Sequence, residues 1–86
     1  MNLNILDEVK NKILDRKHID NLFIEDEFLE IYISKADSNT YYMLLIPKSD
    51  VNVQDLNEES VEYFSKYLDI KKAYVSYKKD SVYIYF

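Results

Sequence analysis

Glu25, Asp26 and Glu27 stand side by side, and a run of carboxylates is the first place to look for a divalent-cation site. Consecutive residues of an extended chain point to alternate sides, and the glycine of a calcium-binding loop is missing. The triplet therefore reads as a solvated acidic turn. His18 is the sole histidine and follows Arg16 and Lys17, which puts it at a helix end without a partner that would make it a general base. Ser34, Ser49, Ser60 and Ser76 lack the sequence context of a nucleophile elbow, and no second histidine is present to activate them.

The inventory closes further routes. With no cysteine, the chain has no disulfide, thiolate nucleophile, thiolate zinc site or iron–sulfur cluster. With no glycine, it has no phosphate-cradling loop of the Walker or dinucleotide type, because those loops need positions that a side chain would obstruct. The expectation is a protein that binds rather than catalyses, with no cofactor and no metal.

What it offers a partner is charge and aromatic surface. From His18 to Glu30 the charged residues besides His18 are Asp20, Glu25, Asp26, Glu27 and Glu30, without a lysine or arginine among them. The stretch from Ser49 to Ser65 repeats this with Asp50, Asp55, Glu58, Glu59 and Glu62, whereas Lys66, Lys71, Lys72, Lys78 and Lys79 gather toward the C-terminal end. The net charge of -5 is thus segregated. Two carboxylate-only stretches can imitate a phosphate backbone or steer the protein onto a basic groove. Solubility and helix capping would also produce acidic turns and acidic helix starts.

Of the 9 tyrosines, Tyr32, Tyr41, Tyr42, Tyr74, Tyr77, Tyr83 and Tyr85 fall in segments that alternate like strands. In the last of these Val82, Ile84 and Phe86 point one way and Tyr83 and Tyr85 the other. If helices cover the first set, Tyr74, Tyr83 and Tyr85 stand together on an open face, either as an interface or as cross-strand pairs that stabilise the sheet.

The elements follow from periodicity. Leu6, Val9 and Ile13 recur at helical spacing within a first helix from about Ile5 to Lys17, with Asn4 as its cap. Leu22 to Ile24 precede the acidic turn, and Phe28 to Ser34 alternates as a strand, with Leu29, Ile31 and Ile33 on one side. Lys35 to Asn39 reads as a polar turn. Tyr41 to Ile46 is almost continuously apolar, as expected of a central strand covered on both sides, and Pro47 stops it. A second helix capped by Asp55 or Asn57 reaches about Leu68 and presents Val61, Phe64 and Leu68 to the core. Ala73 to Lys78 and Ser81 to Phe86 form a hairpin whose turn, lacking glycine, calls for a longer loop or a bulge.

These elements predict an α+β fold: an antiparallel sheet of four to five strands with two helices on one face, in the order α-β(β)β-α-ββ. The order of the first part resembles the double-stranded-RNA-binding domain in outline, but this second helix opens on acids where that family presents lysines. At 86 residues the chain has room for one domain, residues 1–86, which buries only roughly 60 to 65% of its unfolded surface. No secretion signal is read at the start, and the longest apolar run, Tyr41 to Pro47, is far short of the roughly 18 to 20 residues of a membrane span. A cytoplasmic location without membrane contact is expected.

The functional expectation is a small acidic binding protein of the inhibitor or immunity type, as in phage or mobile-element anti-defence, anti-CRISPR or nucleic-acid-mimic proteins. It would occupy a basic site on a protein partner such as a nucleic-acid enzyme or a toxin, through Asp20, Glu25, Asp26, Glu27, Glu30, Asp55, Glu58, Glu59, Glu62, Tyr74, Tyr83 and Tyr85. A homodimeric assembly component is the first rival. Weak nucleic-acid binding through the C-terminal lysines is the second, disfavoured by the repulsion between an acidic protein and phosphate.

Overall fold

The computed structural model describes residues 3–15, 19–48 and 50–86. The chain runs α1 (Asn4–Asp15), β1 (Leu22–Glu25), β2 (Leu29–Asp37), β3 (Thr40–Pro47), α2 (Val53–Ser65), β4 (Lys72–Ser76) and β5 (Ser81–Tyr85). Arg16, Lys17 and His18, read above as the end of the first helix, and Ser49 lie outside the described residues. The strands form one antiparallel 5-stranded sheet in the order β1-β2-β3-β5-β4. This is the α+β arrangement expected from the sequence, with β1 as the additional strand.

α1 buries Ile5, Leu6, Val9 and Ile13, the stripe set by its spacing. Asn4 is part of the helix rather than a residue ahead of it. α2 differs more from expectation. It begins after Asn52, whose side-chain oxygen accepts the amides of Gln54 and Asp55 at 2.9 and 3.1 Å, so neither Asp55 nor Asn57 is the cap. Starting earlier, the helix buries Leu56, Ser60 and Phe64, and it ends at Ser65 instead of Leu68.

Both helices lie on the sheet face that carries Leu29, Ile31, Ile33, Met43, Leu45, Val82 and Ile84, and none of these is more than 1% exposed. Full burial of one such side chain is worth about 1.5–3 kcal/mol, so this layer dominates the stability of the fold. The helices stop there. β3 is central, as expected, but it is not covered on both sides: Met43 and Leu45 are buried, while Tyr42, Leu44 and Ile46 point the other way and stay half-buried.

Turns in a glycine-free chain need residues that tolerate positive φ. Asn21, Asp50 and Asp80 take it, at 61°, 71° and 49°. Short Asx side chains can bond locally and visit this region more readily than other non-glycine residues. Ser76 pairs with Ser81, so the last hairpin closes through a loop from Tyr77 to Asp80, the longer connection expected without glycine. β2 extends to Asp37, into the stretch Lys35 to Asn39 read from the sequence as a turn, with its register broken between Lys35 and Asp37. The Asp37 carboxylate accepts the Asn39 amide at 2.9 Å, and that hydrogen bond holds its pKa below the ordinary carboxylate value. Among the described residues no helix is long and apolar enough to cross a membrane.

Candidate functional site on the open sheet face

The face turned away from the helices is built by strand alternation and ordered by register. Phe23 pairs with Tyr32, Tyr32 with Leu44, Leu44 with Tyr83 and Tyr83 with Tyr74. One unbroken apolar row therefore crosses all 5 strands. On one side of it lies the row Ser34, Tyr42, Tyr85 and Lys72; on the other lie Glu25, Glu30 and Ile46, continued by Ser81 and Ser76. An antiparallel sheet with a solvated face ordinarily alternates apolar-in with polar-out. Here both faces are apolar.

The rings are packed against one another. Phe23 and Tyr32 lie with centroids 4.6 Å apart, and Tyr42 is within 6.3 Å of Tyr83 and 6.1 Å of Tyr85. Tyr74 and Tyr83 are 5.2 Å apart with planes only 15° from parallel. Near-parallel rings that close cannot lie side by side in one plane, so their faces overlap in part. The interaction with the Tyr74 hydroxyl, and then burial among the neighbouring rings, raises the Tyr85 pKa above the ordinary phenol value. Lys72 lies 5.1 Å from the Tyr74 ring and 5.8 Å from Tyr85, and Lys79 lies 5.9 Å from Tyr83 and donates to its hydroxyl at 3.3 Å. Tyr74 remains 37% exposed, Tyr32 38% and Phe23 45%, so the row is still open to a partner.

The structure thus brings Tyr74, Tyr83 and Tyr85 onto one face, together with Glu25 and Glu30. It separates the other carboxylates singled out in the sequence. Asp55, Glu58 and Glu62 are exposed on α2, and Glu59 is half-buried there; α2 packs on the opposite side of the sheet. Asp26 turns inward and accepts the amides of Phe28 and Leu29 at 2.8 and 2.9 Å, so it holds the β1–β2 turn. Glu25 takes the Lys48 ammonium at 2.9 Å, a bond that raises the lysine pKa, while Lys48 also donates to the Asp26 carbonyl. Asp20 accepts the Ser34 hydroxyl at 3.2 Å and the Lys35 amide at 3.1 Å beside the first row. Glu27 is exposed at the turn.

Sequence reasoning missed Phe23, Tyr42, Leu44 and Ile46 as members of the face. The signal was present in the alternation of Tyr42 and Leu44 with Met43 and Leu45, but an apolar run hides its own period. Tyr41 lies on the helix side, stacked on Phe86 at 5.9 Å, and Tyr77 is 73% exposed in the last loop. Tyr41, Phe86, Ile13, Leu14, Tyr67 and Leu68 help to line a cleft of about 310 Å³ at the end of the helical layer. Its ammonium, Lys71, is engaged by the Asn39 carbonyl and the Thr40 hydroxyl at 2.8 and 2.9 Å, so the cleft is mainly apolar space with the Asp69 carboxylate in its lining. Among the described residues no cluster of three or more His, Cys, Asp or Glu is placed to hold a metal. No family model matches this chain, and comparison with curated proteins and with solved structures returns no match.

Proposed function

We propose that this protein is a non-enzymatic binding domain that docks on a protein partner through the open face of its sheet. The observation that carries the reading is the row from Phe23 to Tyr74, continuous over the full width of the sheet and left without a cover by the helices. Tyrosines supply large contact area at low entropic cost, and leucine and phenylalanine beside them supply the dry centre that hot spots need.

The acidic composition favours an inhibitor or immunity-type form of this reading, with a cationic protein as the target. Because the α2 carboxylates lie across the sheet from the docking face, their part is long-range steering within about a Debye length, not contact. The test is retention of proteins from cells of the source by three tagged forms: wild type, Leu44→Lys, and the α2 reversal Glu58→Lys/Glu62→Lys. A protein, which can be the untagged chain itself, should be kept by wild type and by the α2 form and lost with Leu44→Lys. An identical retained set for wild type and Leu44→Lys would sink the reading.

A further inference from the structure

The open face has a symmetry of charge that identifies its occupant. We propose that a second copy of this chain covers it, in a two-fold dimer whose axis runs along β3 between the two sheets. This inference rests on the docking reading above and names the partner.

β3 is the middle of the 5 strands, so a half-turn about it lays β1 and β2 of one copy over β4 and β5 of the other. The apolar row then falls on itself: the Phe23–Tyr32 pair meets Tyr83 and Tyr74 of the second copy, and Leu44 meets Leu44. The result is a two-sheet sandwich with helices on the outside, a stable layer arrangement for apolar sheet faces.

Charge selects this axis over its alternative. Glu30 on β2 and the Lys79 loop after β4 lie at the same end of the sheet and on opposite sides of β3. Glu30 makes no close ion pair among the described residues, its charge reaching Lys48 only at longer range, and Lys79 is held on the face by Tyr83. Rotation about β3 brings each Glu30 toward Lys79 of the other copy. At the far end it brings Lys72 toward the Asp20–Ser34 corner. An axis across the strands would instead set Lys72 against Lys79. Such self-complementarity, with residue i meeting j and j meeting i, is the mark of an isologous interface.

Size limits the interface. Five strands at roughly 4.8 Å spacing and about five residues at roughly 3.3 Å rise give a face of about 24 by 17 Å, on the order of 400 Å² in plan for each copy. The total of about 800 Å² lies below the roughly 1,200–2,000 Å² of standard specific interfaces, so a weak, concentration-dependent dimer is expected.

Sedimentation velocity from about 1 to about 200 µM tests this on wild type, Lys79→Glu, Glu30→Lys, an equimolar mixture of the two variants, and Leu44→Lys. Wild type should dimerise, each charge variant alone should be about tenfold weaker or more, and the mixture should return to within about threefold of wild type. Leu44→Lys should be monomeric while keeping the wild-type circular dichroism. A wild-type monomer at 200 µM overturns the dimer and leaves the docking reading to the retention experiment. A mixture no tighter than its components, or a dimer indifferent to Leu44→Lys, overturns it as well. A labelled single-stranded oligonucleotide bound by wild type and released by Leu44→Lys would assign the face to nucleic acid and overturn it too.

Discussion

The Tyr63 hydroxyl donates to the Asp7 carboxylate, tying α2 to α1 across 56 positions of sequence. The bond favours the ionised carboxyl and the neutral phenol. It lowers the Asp7 pKa, with Lys10 adding to the effect, while burial and this same bond raise that of Tyr63. A depressed carboxyl pKa contributes stability that is present above the unfolded value and lost as pH falls through the folded one. A raised phenol pKa contributes stability that is present below the unfolded value and lost as pH rises through the folded one. Tyr63→Phe should therefore lower the urea midpoint by a constant amount between about pH 5 and about pH 9, and the gap should close at both extremes. A gap that does not narrow as the pH falls below about 4 would show that the ionised carboxyl is not the cause.

Leu44 and Leu45 are adjacent in β3 and face opposite ways. Leu45→Ala removes a side chain that is 0% exposed and should cost about 2–5 kcal/mol by equilibrium denaturation. Leu44→Ala, measured where the chain is monomeric, should cost about 1 kcal/mol or less. Similar losses at the two positions would mean that the open face carries part of the core.

Asp80 closes the β4–β5 loop at φ 49°. A β-branched residue is strained there, so Asp80→Val should lose about 1–2 kcal/mol, whereas Asp80→Gly should hold or gain stability. Thermal melts of the pair decide this, and equal behaviour would contradict the turn geometry.

The Ser81 hydroxyl is buried without a hydrogen-bond partner among the described residues. Removing an unsatisfied polar group relieves its desolvation penalty, so Ser81→Ala should leave stability unchanged or raise it by up to about 1 kcal/mol. A loss greater than about 1 kcal/mol in chemical denaturation would reveal a partner such as an ordered water.

Element types and their order were legible because they rest on local period: Leu6, Val9 and Ile13 at helical spacing, Leu29, Ile31 and Ile33 in alternation. The direction of Tyr83 and Tyr85 followed from the same alternation. The cap of α2 was not, since Asn52, Asp55 and Asn57 are all competent residues and only the fold decides which amides need an acceptor. The open face was half legible. A continuous apolar run such as Tyr41 to Ile46 does not say how many of its sides find a cover, and that depends on where the helices end. Nor does clustering in sequence place charges on one surface: Glu25 is taken by Lys48, Asp26 by the β1–β2 turn, and the carboxylates of α2 sit across the sheet.

β5 follows β4 in the chain, yet it lies between β3 and β4. Until a ribosome has released Ser81 to Tyr85, β4 has no neighbour to bond and β3 presents a bare edge. Without Ser81 to Tyr85 the paired sheet would therefore comprise β1, β2 and β3 alone, and β5 is what joins β4 to it.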